Sequence, residues 1–215
     1  AGTVSVCREG VSSMQILPPN IQNSEEASSI VAAEQVRISR SGEYIAVLSE
    51  GGVRVYTAAD KKDWLQHIPT LEVKDASSVD LLGVFATPQY VVVTFVQDAQ
   101  DVVSCSYGNG KWVSGPLYNT MFDIQGPQYK LSENGLFFCV LHNEGVLFLS
   151  RRSAARSPWR KVSFLFDIES SSACACSIAG DGSFVMLVAA TTKRVYRYQQ
   201  KDDGYTRTGG YVQLP

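Results

Sequence analysis

The stretch ISRSGEYIAVL, residues 38–48, decides the fold, because related stretches recur along the chain. In it, a serine and a glycine frame a tight turn, and an aromatic residue and a run of β-forming residues follow. A second turn at residues 49–52 leads into the triplet RVY at 54–56, and a charged loop then ends at Trp64. Counterparts of this unit begin near Phe85, Leu131 and Ile178. The chain is therefore built from a repeated β unit.

Independent landmarks give the repeat a period of about 47 residues. Gly42 and Gly135 are 93 residues apart, and Gly135 and Gly182 are 47 residues apart. The aromatic residues that open the last strand of each unit are spaced by 48, 47 and 46 residues: Trp64, Trp112, Trp159 and Tyr205. A period of roughly 40–50 residues with four strands per unit is typical of propeller blades. We therefore predict an all-β fold, a β-propeller of four-stranded antiparallel blades at about 35–73, 79–120, 121–168 and 169–215.

Residues 1–34 correspond to half of one unit followed by a connector. Cys7 lies one period before Arg54, and Leu17 lies one period before Trp64. This spacing predicts an N-terminal half-blade, a hairpin of two outer strands without inner ones, and a loop or one short helix after Ser24. Three explanations stay open: the ring closes with this hairpin as an extra half-blade, a partner chain or second copy donates strands, or the chain is part of a longer protein. Natural proteins usually cover unpaired strand edges, and a strand donated by a partner would do so here.

Stacked sheets explain the pattern physically. A single four-stranded sheet cannot bury both faces in water, whereas sheets packed around an axis cover one another. A large aromatic residue at the same place in each unit then fills the widening gap between blades. Gly42, Gly135 and Gly182 follow the innermost strand, where a tight turn favours positive φ. The second unit has Pro88-Gln89 at this place, so we expect a different turn there.

Composition excludes several function classes. Hydrophobic residues make up 45% of the 215 residues and charged residues 19%, which argues against disorder. A net charge of −2 gives no electrostatic footprint for nucleic acid or for an anionic membrane. No apolar run approaches the roughly 20 residues of a membrane span. We therefore expect no membrane partner and no nucleic-acid partner.

Cysteine usage favours a reducing compartment. The five cysteines are an odd number and show no disulfide-type spacing: Cys7, Cys105, Cys139, Cys174 and Cys176. We expect an intracellular protein, cytoplasmic or nuclear. Cys174 and Cys176 are two residues apart, which places both thiols on one face of a strand. We interpret them as small core residues, with metal or redox chemistry as the alternative.

Candidate binding residues come from a basic loop and from the recurring aromatic positions. The loop at 151–161 places several arginines beside a tryptophan, which suits a phosphate, an acidic peptide or RNA, although solvated loop charge is the simpler interpretation. The aromatic residues suit stacking on sugars or bases, but their recurrence at the blade period favours packing. The candidates for ligand or partner contact are Arg54, Tyr56, Trp112, Arg151, Arg152, Arg156, Trp159, Arg194, Tyr196 and Tyr198.

No catalytic constellation stands out in the sequence. The aspartates that could form an acidic pair are dispersed: Asp80, Asp123, Asp167 and Asp181. His67 and His142 lie on different repeats, and neither a glycine-rich phosphate loop nor a nucleophile elbow occurs. We therefore predict no catalytic residues, no metal, no cofactor and no enzymatic activity.

Three of the turn stretches carry a family resemblance: residues 38–47, 131–138 and 178–185. They resemble the Ser-Pro-Asp-Gly, aromatic, apolar signature at the first turn of WD40-like blades. The resemblance covers roughly residues 36–215. The Trp-Asp dipeptide and the Gly-His pair of well-conforming WD40 repeats do not occur here, so this chain resembles a divergent member of the family. It implies a non-catalytic scaffold that presents loop faces to partner proteins.

A weaker resemblance gives the alternative function. The segment YGNGKWVSG at 107–115 is similar to a blade of fungal fucose-binding lectins, which end blades in Gly-Trp-x-x-Gly. The Arg-Val-Tyr triplets at 54–56 and 194–196 are similar to that family too, although the glutamate that follows in its sugar-binding set does not occur here. The resemblance implies a carbohydrate-binding propeller lectin, which would be extracellular.

Overall fold

A computed structural model describes most of the chain. The described residues are 5–6, 15–16, 33–59, 63–120, 128–141, 147–165, 173–189, 192–202 and 204–215. The strands, in chain order, are β1 (Ser5–Val6), β2 (Gln15–Ile16), β3 (Ala33–Ile38), β4 (Tyr44–Ser49), β5 (Gly52–Ala59), β6 (Asp63–Leu65), β7 (Val79–Ala86), β8 (Val91–Gln97), β9 (Asp101–Gly108), β10 (Lys111–Ser114), β11 (Tyr118–Asn119), β12 (Gln128–Leu131), β13 (Phe137–Leu141), β14 (Leu147–Arg151), β15 (Arg160–Leu165), β16 (Ala173–Ile178), β17 (Phe184–Ala189), β18 (Arg194–Lys201) and β19 (Gly204–Gln213).

The strands form four antiparallel sheets, each made of strands consecutive in sequence. Their orders are β3-β4-β5-β6, β7-β8-β9-β10, β12-β13-β14-β15 and β16-β17-β18-β19, and β11 adds to β9 in the second sheet. Near the N-terminus, the two-residue strands β1 and β2 pair with each other. Apart from one 3₁₀ turn, Ala76–Ser78, the described ranges contain no helix. The predicted all-β class is therefore confirmed, whereas the possible helix after Ser24 lies outside the described residues.

The serine–glycine turns fold as the sequence predicts. Gly42, Gly135 and Gly182 have φ of 69°, 67° and 76°, a region that glycine enters without strain. In the third sheet, the Ser132 hydroxyl accepts a hydrogen bond from the Phe137 N–H at 2.9 Å. The Gly135 N–H donates to the Ser132 carbonyl at 2.9 Å and closes the turn. The signature is therefore a hydrogen-bonded connection between the first and second strands of a sheet.

The second sheet makes this connection differently, as expected from its proline. The Thr87 N–H donates to the Tyr90 carbonyl at 2.8 Å, and the Thr87 hydroxyl accepts from the Tyr90 N–H at 3.0 Å. None of residues 86–90 has positive φ. In this turn, the hydroxyl of Thr87 takes the place of the serine hydroxyl. Pro88 stands where the other turns have a glycine with positive φ.

The outer edge of the first sheet differs from the prediction. We expected a strand from Trp64 toward Val73, but β6 ends at Leu65, and Leu71 instead pairs alone with Val53 through two hydrogen bonds of 2.9 Å. Pro69 has no N–H to offer a ladder, which explains the interruption. In β5, Val53 and Val55 are fully buried on one face, and Tyr56 on the other face is buried as well.

The second strand of each sheet forms the core. β4, β8 and β13 are buried on both faces for most of their length. β17 alternates instead: Val185, Leu187 and Ala189 are buried, whereas its other residues are half-buried. One face of the fourth sheet therefore packs against the third, in a cluster that includes Leu149 and Leu187.

The chain divides into two compact units. One comprises residues 1–95 and 105–113, and the other comprises residues 96–104 and 114–215. In the first unit, the Gln35 side chain joins two sheets by donating to the Val79 carbonyl at 3.2 Å and accepting from the Leu81 N–H at 2.8 Å. Among the residues that the structure describes, no helix is long and apolar enough to cross a membrane.

Candidate functional site

Two neighbouring turns of the second unit bring chemically useful side chains together. The turn at residues 132–135 follows β12, and the turn at residues 179–182 follows β16. The Asn134 N–H donates to the Gly180 carbonyl at 3.0 Å, which fixes the two turns side by side. These two turns, together with Arg151 and Tyr205, are called the turn face below.

The turn face carries two exposed carboxylates. Glu133 lies directly over Gly180, since a methyl group at Gly180 would overlap its carboxylate. Asp181 accepts a hydrogen bond from the Ser183 N–H at 2.9 Å. Asn134, one period earlier, accepts from the Leu136 N–H in the same way at 3.0 Å. Asp181 therefore holds its turn as Asn134 does, and adds a negative charge beside Glu133.

The charges of the turn face act on the pKa of Tyr205. Its hydroxyl donates to the Gly182 carbonyl at 2.5 Å, and its ring is buried. Burial, followed by the charges of Cys139 and Asp181, raises the pKa of Tyr205 to about 12, and the positive charge of Arg151 opposes the shift. A carboxylate and a guanidinium thus lie near one phenol that stays protonated at neutral pH.

Arg152 is a buried residue that hydrogen-bonds to the 132–135 turn. It is only 4% exposed, its Nε donates to the Gly135 carbonyl at 2.8 Å, and one terminal nitrogen donates to the Ala155 carbonyl at 2.6 Å. Its guanidinium stacks over Trp159, 4.3 Å from the ring centroid. Burial lowers the pKa of Arg152 to about 10, so it keeps its charge at neutral pH. Arg152 therefore positions the turn and does not face solvent.

The third-sheet candidates divide into buried and exposed side chains. Trp159 is 6% exposed and packs edge-on against Phe138 at 4.6 Å between ring centroids. Arg151 is half-buried and pairs with Phe137 across the sheet, whereas Arg156 is exposed on the connecting loop. Only the two arginines outside the core can reach a ligand.

The fourth-sheet candidates form a stacked arginine–tyrosine cluster. Tyr196 and Tyr198 belong to the core cluster, and Arg194 stacks on Tyr211 at 4.0 Å from the ring centroid. Arg207 stacks on Tyr196 at 4.4 Å. These contacts bury the aromatic faces that a sugar or base would need.

Three candidates belong to the first unit, whereas the turn face belongs to the second. Arg54 hydrogen-bonds Tyr56, which is buried; burial raises the pKa of Tyr56 and Arg54 opposes the shift. The Trp112 indole donates to the Pro69 carbonyl at 2.7 Å and packs against Tyr107 at 5.4 Å. Both aromatic side chains are held by contacts within the protein.

The turn face itself did not emerge from the sequence patterns. Glu133 was not singled out, Asp181 was set aside as dispersed, and Tyr205 was interpreted as packing. The repeat could have predicted that Glu133 and Gly180 lie close together. The two residues are one period apart, and the turns of adjacent sheets lie together. No group of three or more potential metal ligands occurs within the described ranges.

Of the two cysteines at 174 and 176, the structure describes the side chain of Cys176. Cys176 is buried, and its sulfur meets that of Cys139 on the third sheet. The side chain of Cys174 lies outside the described part of the structure, so the expected shared face stays a prediction.

Solved structures are similar to this chain in fold. The periplasmic gluconolactonase of Pseudomonas aeruginosa matches with a TM-score of 0.59 at 15% identity, covering 98% of this chain and 62% of that one. A protein assigned as a 6-phosphogluconolactonase, from Bacteroides fragilis NCTC 9343, matches with a TM-score of 0.57 at 13% identity, covering 89% and 58%. KlAtg21, solved with the coiled coil of AgAtg16, matches with a TM-score of 0.61 at 11% identity, covering 99% and 67%. A lectin bound to alpha-methyl fucoside also matches, with a TM-score of 0.50 at 13% identity.

These matches establish the β-propeller type of fold. No family model and no curated protein matches the sequence. The chain spans about three fifths of the length of the lactonase structures, 58% to 62%. At such identities, the likeness concerns the fold and not the activity of this chain.

The comparisons correct two predictions. The expectation of a non-catalytic scaffold and the expectation of no enzyme are corrected, because lactonases are prominent among the solved structures of similar fold. The scaffold expectation depended on the WD40-like resemblance, and the expectation of no enzyme depended on finding no contiguous catalytic motif. In a repeat fold, catalytic groups can come from turns of different sheets, far apart in sequence.

Proposed function

We propose that the turn face is the active site of a lactonase, which hydrolyses the ring ester of a sugar lactone. The observation that carries the proposal is the placement of two exposed carboxylates, Glu133 and Asp181, on adjoining turns. The charges of Asp181 and of Arg151 both act on Tyr205, which places a cation on the same face. The lactonase structures of the same fold supply the reaction class.

The reaction needs a base for the attacking water and positive charge for the carbonyl oxygen. Glu133 is exposed to water and takes the role of base, and Arg151 takes the role of cation. The water oxygen bonds to the carbonyl carbon as its proton passes to Glu133. The ring C–O bond then breaks, and the proton returns to the ring oxygen, which leaves as a hydroxyl. The product is an open-chain hydroxy acid.

Two further residues hold this arrangement without taking part in proton transfer. Tyr205 keeps its proton at neutral pH and anchors the 179–182 turn through Gly182. Asp181 fixes the same turn through Ser183. They are positioning residues.

The test is acid release from glucono-1,5-lactone in a pH-stat, with spontaneous hydrolysis subtracted. Removing the base by Glu133→Gln is expected to lower the catalysed rate by about 10²-fold or more. Arg151→Met is expected to lower it by about 10²-fold. Asp181→Asn should cost less, because Asn134 shows that an amide makes the same turn contact. The control is Glu50→Gln, an exposed carboxylate of the first unit. A wild-type rate equal to the spontaneous one excludes the proposal.

We further propose that the substrate carries a phosphate, held by the loop that joins β14 and β15. Support comes from the exposed cations Arg156, Arg160 and Lys161 at this loop and the start of β15. Arg156→Ala is expected to raise KM several-fold for glucono-1,5-lactone that carries a phosphate on its 6-hydroxyl. The same change is expected to leave KM for unphosphorylated glucono-1,5-lactone unchanged. Arg40→Ala, an exposed arginine of the first unit, is the matched control. Equal KM changes for both substrates would contradict a phosphate-specific role.

We also propose that the repeat is a divergent WD40-like one. The shared turn geometry at Gly42, Gly135 and Gly182 and the N-terminal pair β1-β2 support four blades and a half-blade. An experimental structure of the chain would test the number of blades.

A further inference from the structure

Two cysteine sulfurs meet between the third and fourth sheets. Cys139 lies on β13 and Cys176 on β16, and their Sγ atoms are 3.6 Å apart. Both are free thiols, with 0% and 6% of their surfaces exposed. They are separated by 37 residues in sequence, so their approach is a product of the packing between sheets.

The surroundings distinguish the two thiols. The two sulfurs share a hydrogen bond in which either can donate, and this bond raises the pKa of Cys139 and lowers that of Cys176. Lys130 pairs with Cys139 across the sheet, and its charge favours the thiolate form of both groups. Cys176, the more exposed of the two, is therefore the sulfur that more readily becomes a nucleophile.

We propose that Cys139 and Cys176 form an oxidisable dithiol site, which a small hydroperoxide such as hydrogen peroxide converts into a disulfide between the two sheets. A disulfide has an S–S length of about 2.05 Å, so the two sulfurs must approach each other by roughly 1.5 Å for the bond to form. The dithiol interpretation is preferred over a metal site, because no third potential ligand joins the pair among the described residues.

The oxidation proceeds in two balanced steps. The Cys176 thiolate attacks one peroxide oxygen, the O–O bond breaks, and hydroxide leaves, which gives a sulfenic acid on Cys176. The Cys139 sulfur then attacks the Cys176 sulfur, the S–O bond breaks, and water leaves with the Cys139 proton. The two sulfurs lose two electrons in total, and the peroxide gains them.

The link would act on the site described above. β13 begins just after the 132–135 turn, and β16 ends just before the 179–182 turn. A covalent bond between these strands would hold the two turns in register. The proposed disulfide depends on the thiols alone and stands whether or not the turn face is catalytic.

Peptide mapping of the oxidised wild-type chain tests the proposal. The chain is treated with hydrogen peroxide, quenched with catalase, alkylated under denaturing conditions, digested without reduction and analysed by mass spectrometry. We expect one cross-linked peptide pair joining Cys139 to Cys176, abolished by dithiothreitol. The oxidised chain is also expected to unfold at a higher temperature than the reduced one.

Variants supply the control. Cys176→Ser should remove both the cross-link and the redox dependence of the unfolding temperature, whereas Cys105→Ser, a change at a buried cysteine of the second sheet, should leave both intact. Oxidation of Cys176 to a sulfinic acid without a link overturns the proposal. A link from Cys176 to Cys174, or a Cys139 that stays fully alkylatable, overturns it equally. Because the mapping uses the wild-type chain, a variant that fails to fold leaves the mapping result unaffected.

Discussion

At the residue scale, equivalent positions in the repeat share a backbone conformation but differ in the side chains that surround them. Gly42 and Gly182 both have positive φ, yet a side chain at Gly42 would meet nothing within 4 Å, whereas one at Gly182 would overlap the Phe137 ring. The local sequence specifies the conformation. The neighbouring sheet determines how much a substitution costs.

The first prediction compares alanine at these two glycines. Gly42→Ala should lower the free energy of unfolding by about 1 kcal/mol, the cost of a left-handed conformation. Gly182→Ala should lower it by about 2–4 kcal/mol, because steric overlap adds to the same backbone cost. Urea denaturation of both variants measures the difference. Equal costs would show that Phe137 does not pack on this turn.

The second prediction concerns the pH dependence contributed by Tyr205. Its pKa in the folded chain is about 12, above the usual value of 10.0, so the unfolded chain loses this proton first as pH rises. The contribution to stability is therefore complete below pH 10 and falls as pH rises through 12. The rise from 10.0 to about 12 corresponds to at most about 3 kcal/mol.

The measurement compares wild type with Tyr205→Phe in urea at several pH values. Below about pH 10 the variant should be less stable by about 1 kcal/mol, because the hydrogen bond to Gly182 is lost. Between about pH 10 and about pH 11.5 the wild type should lose stability relative to the variant. A constant difference across this range would contradict burial of the phenol.

At the element scale, one hydroxyl closes the turn between the first two strands. Ser39 accepts from the Tyr44 N–H at 3.1 Å, Thr87 from the Tyr90 N–H at 3.0 Å, and Ser132 from the Phe137 N–H at 2.9 Å. The fourth sheet has Ala179 at this position, although its N–H still donates to the Phe184 carbonyl at 2.9 Å. The backbone turn therefore forms without the hydroxyl, which adds stability.

The third prediction exchanges these residues. Ser132→Ala should lower the free energy of unfolding by about 1 kcal/mol, because the Phe137 N–H loses its hydroxyl partner. Ala179→Ser should raise it by up to about 1 kcal/mol, since the new hydroxyl can accept from the Phe184 N–H. Thermal unfolding of both variants beside wild type checks the signs. A loss of stability in Ala179→Ser would mean that the fourth turn cannot accommodate the hydroxyl.

At the scale of the whole molecule, the fourth sheet has one covered and one open face. Leu187 is fully buried against the third sheet, whereas Met186, its neighbour on β17, is half-buried. The residue one period before Met186 is Cys139, which is fully buried. The repeat thus places apolar residues where another sheet would pack.

The fourth prediction measures which face is covered in solution. Leu187→Ala should lower the free energy of unfolding by about 2–5 kcal/mol, as expected for a buried leucine. Met186→Ala should cost less than about 1 kcal/mol, because its side chain already contacts water. Chemical denaturation of the purified chain gives both values. A cost of Met186→Ala close to that of Leu187→Ala would show that another sheet covers this face.

The predicted strand donation by a partner chain or second copy stays a prediction. Native mass spectrometry of the purified protein, with identification of any co-purifying chain, tests it. A monomeric mass with no companion would remove it. The predicted intracellular location and the predicted domain boundaries likewise stay predictions.

The sequence by itself determined the repeat, the all-β class and the serine–glycine turns, because hydrophobic alternation and turn chemistry act between residues close in the chain. Only the tertiary structure placed Glu133 over Gly180, Tyr205 on Gly182, and Cys139 beside Cys176. The two members of each pair lie on different turns or strands, and most of the pairs join different sheets. Their distances depend on how whole sheets pack, and no local pattern of residue types encodes that packing.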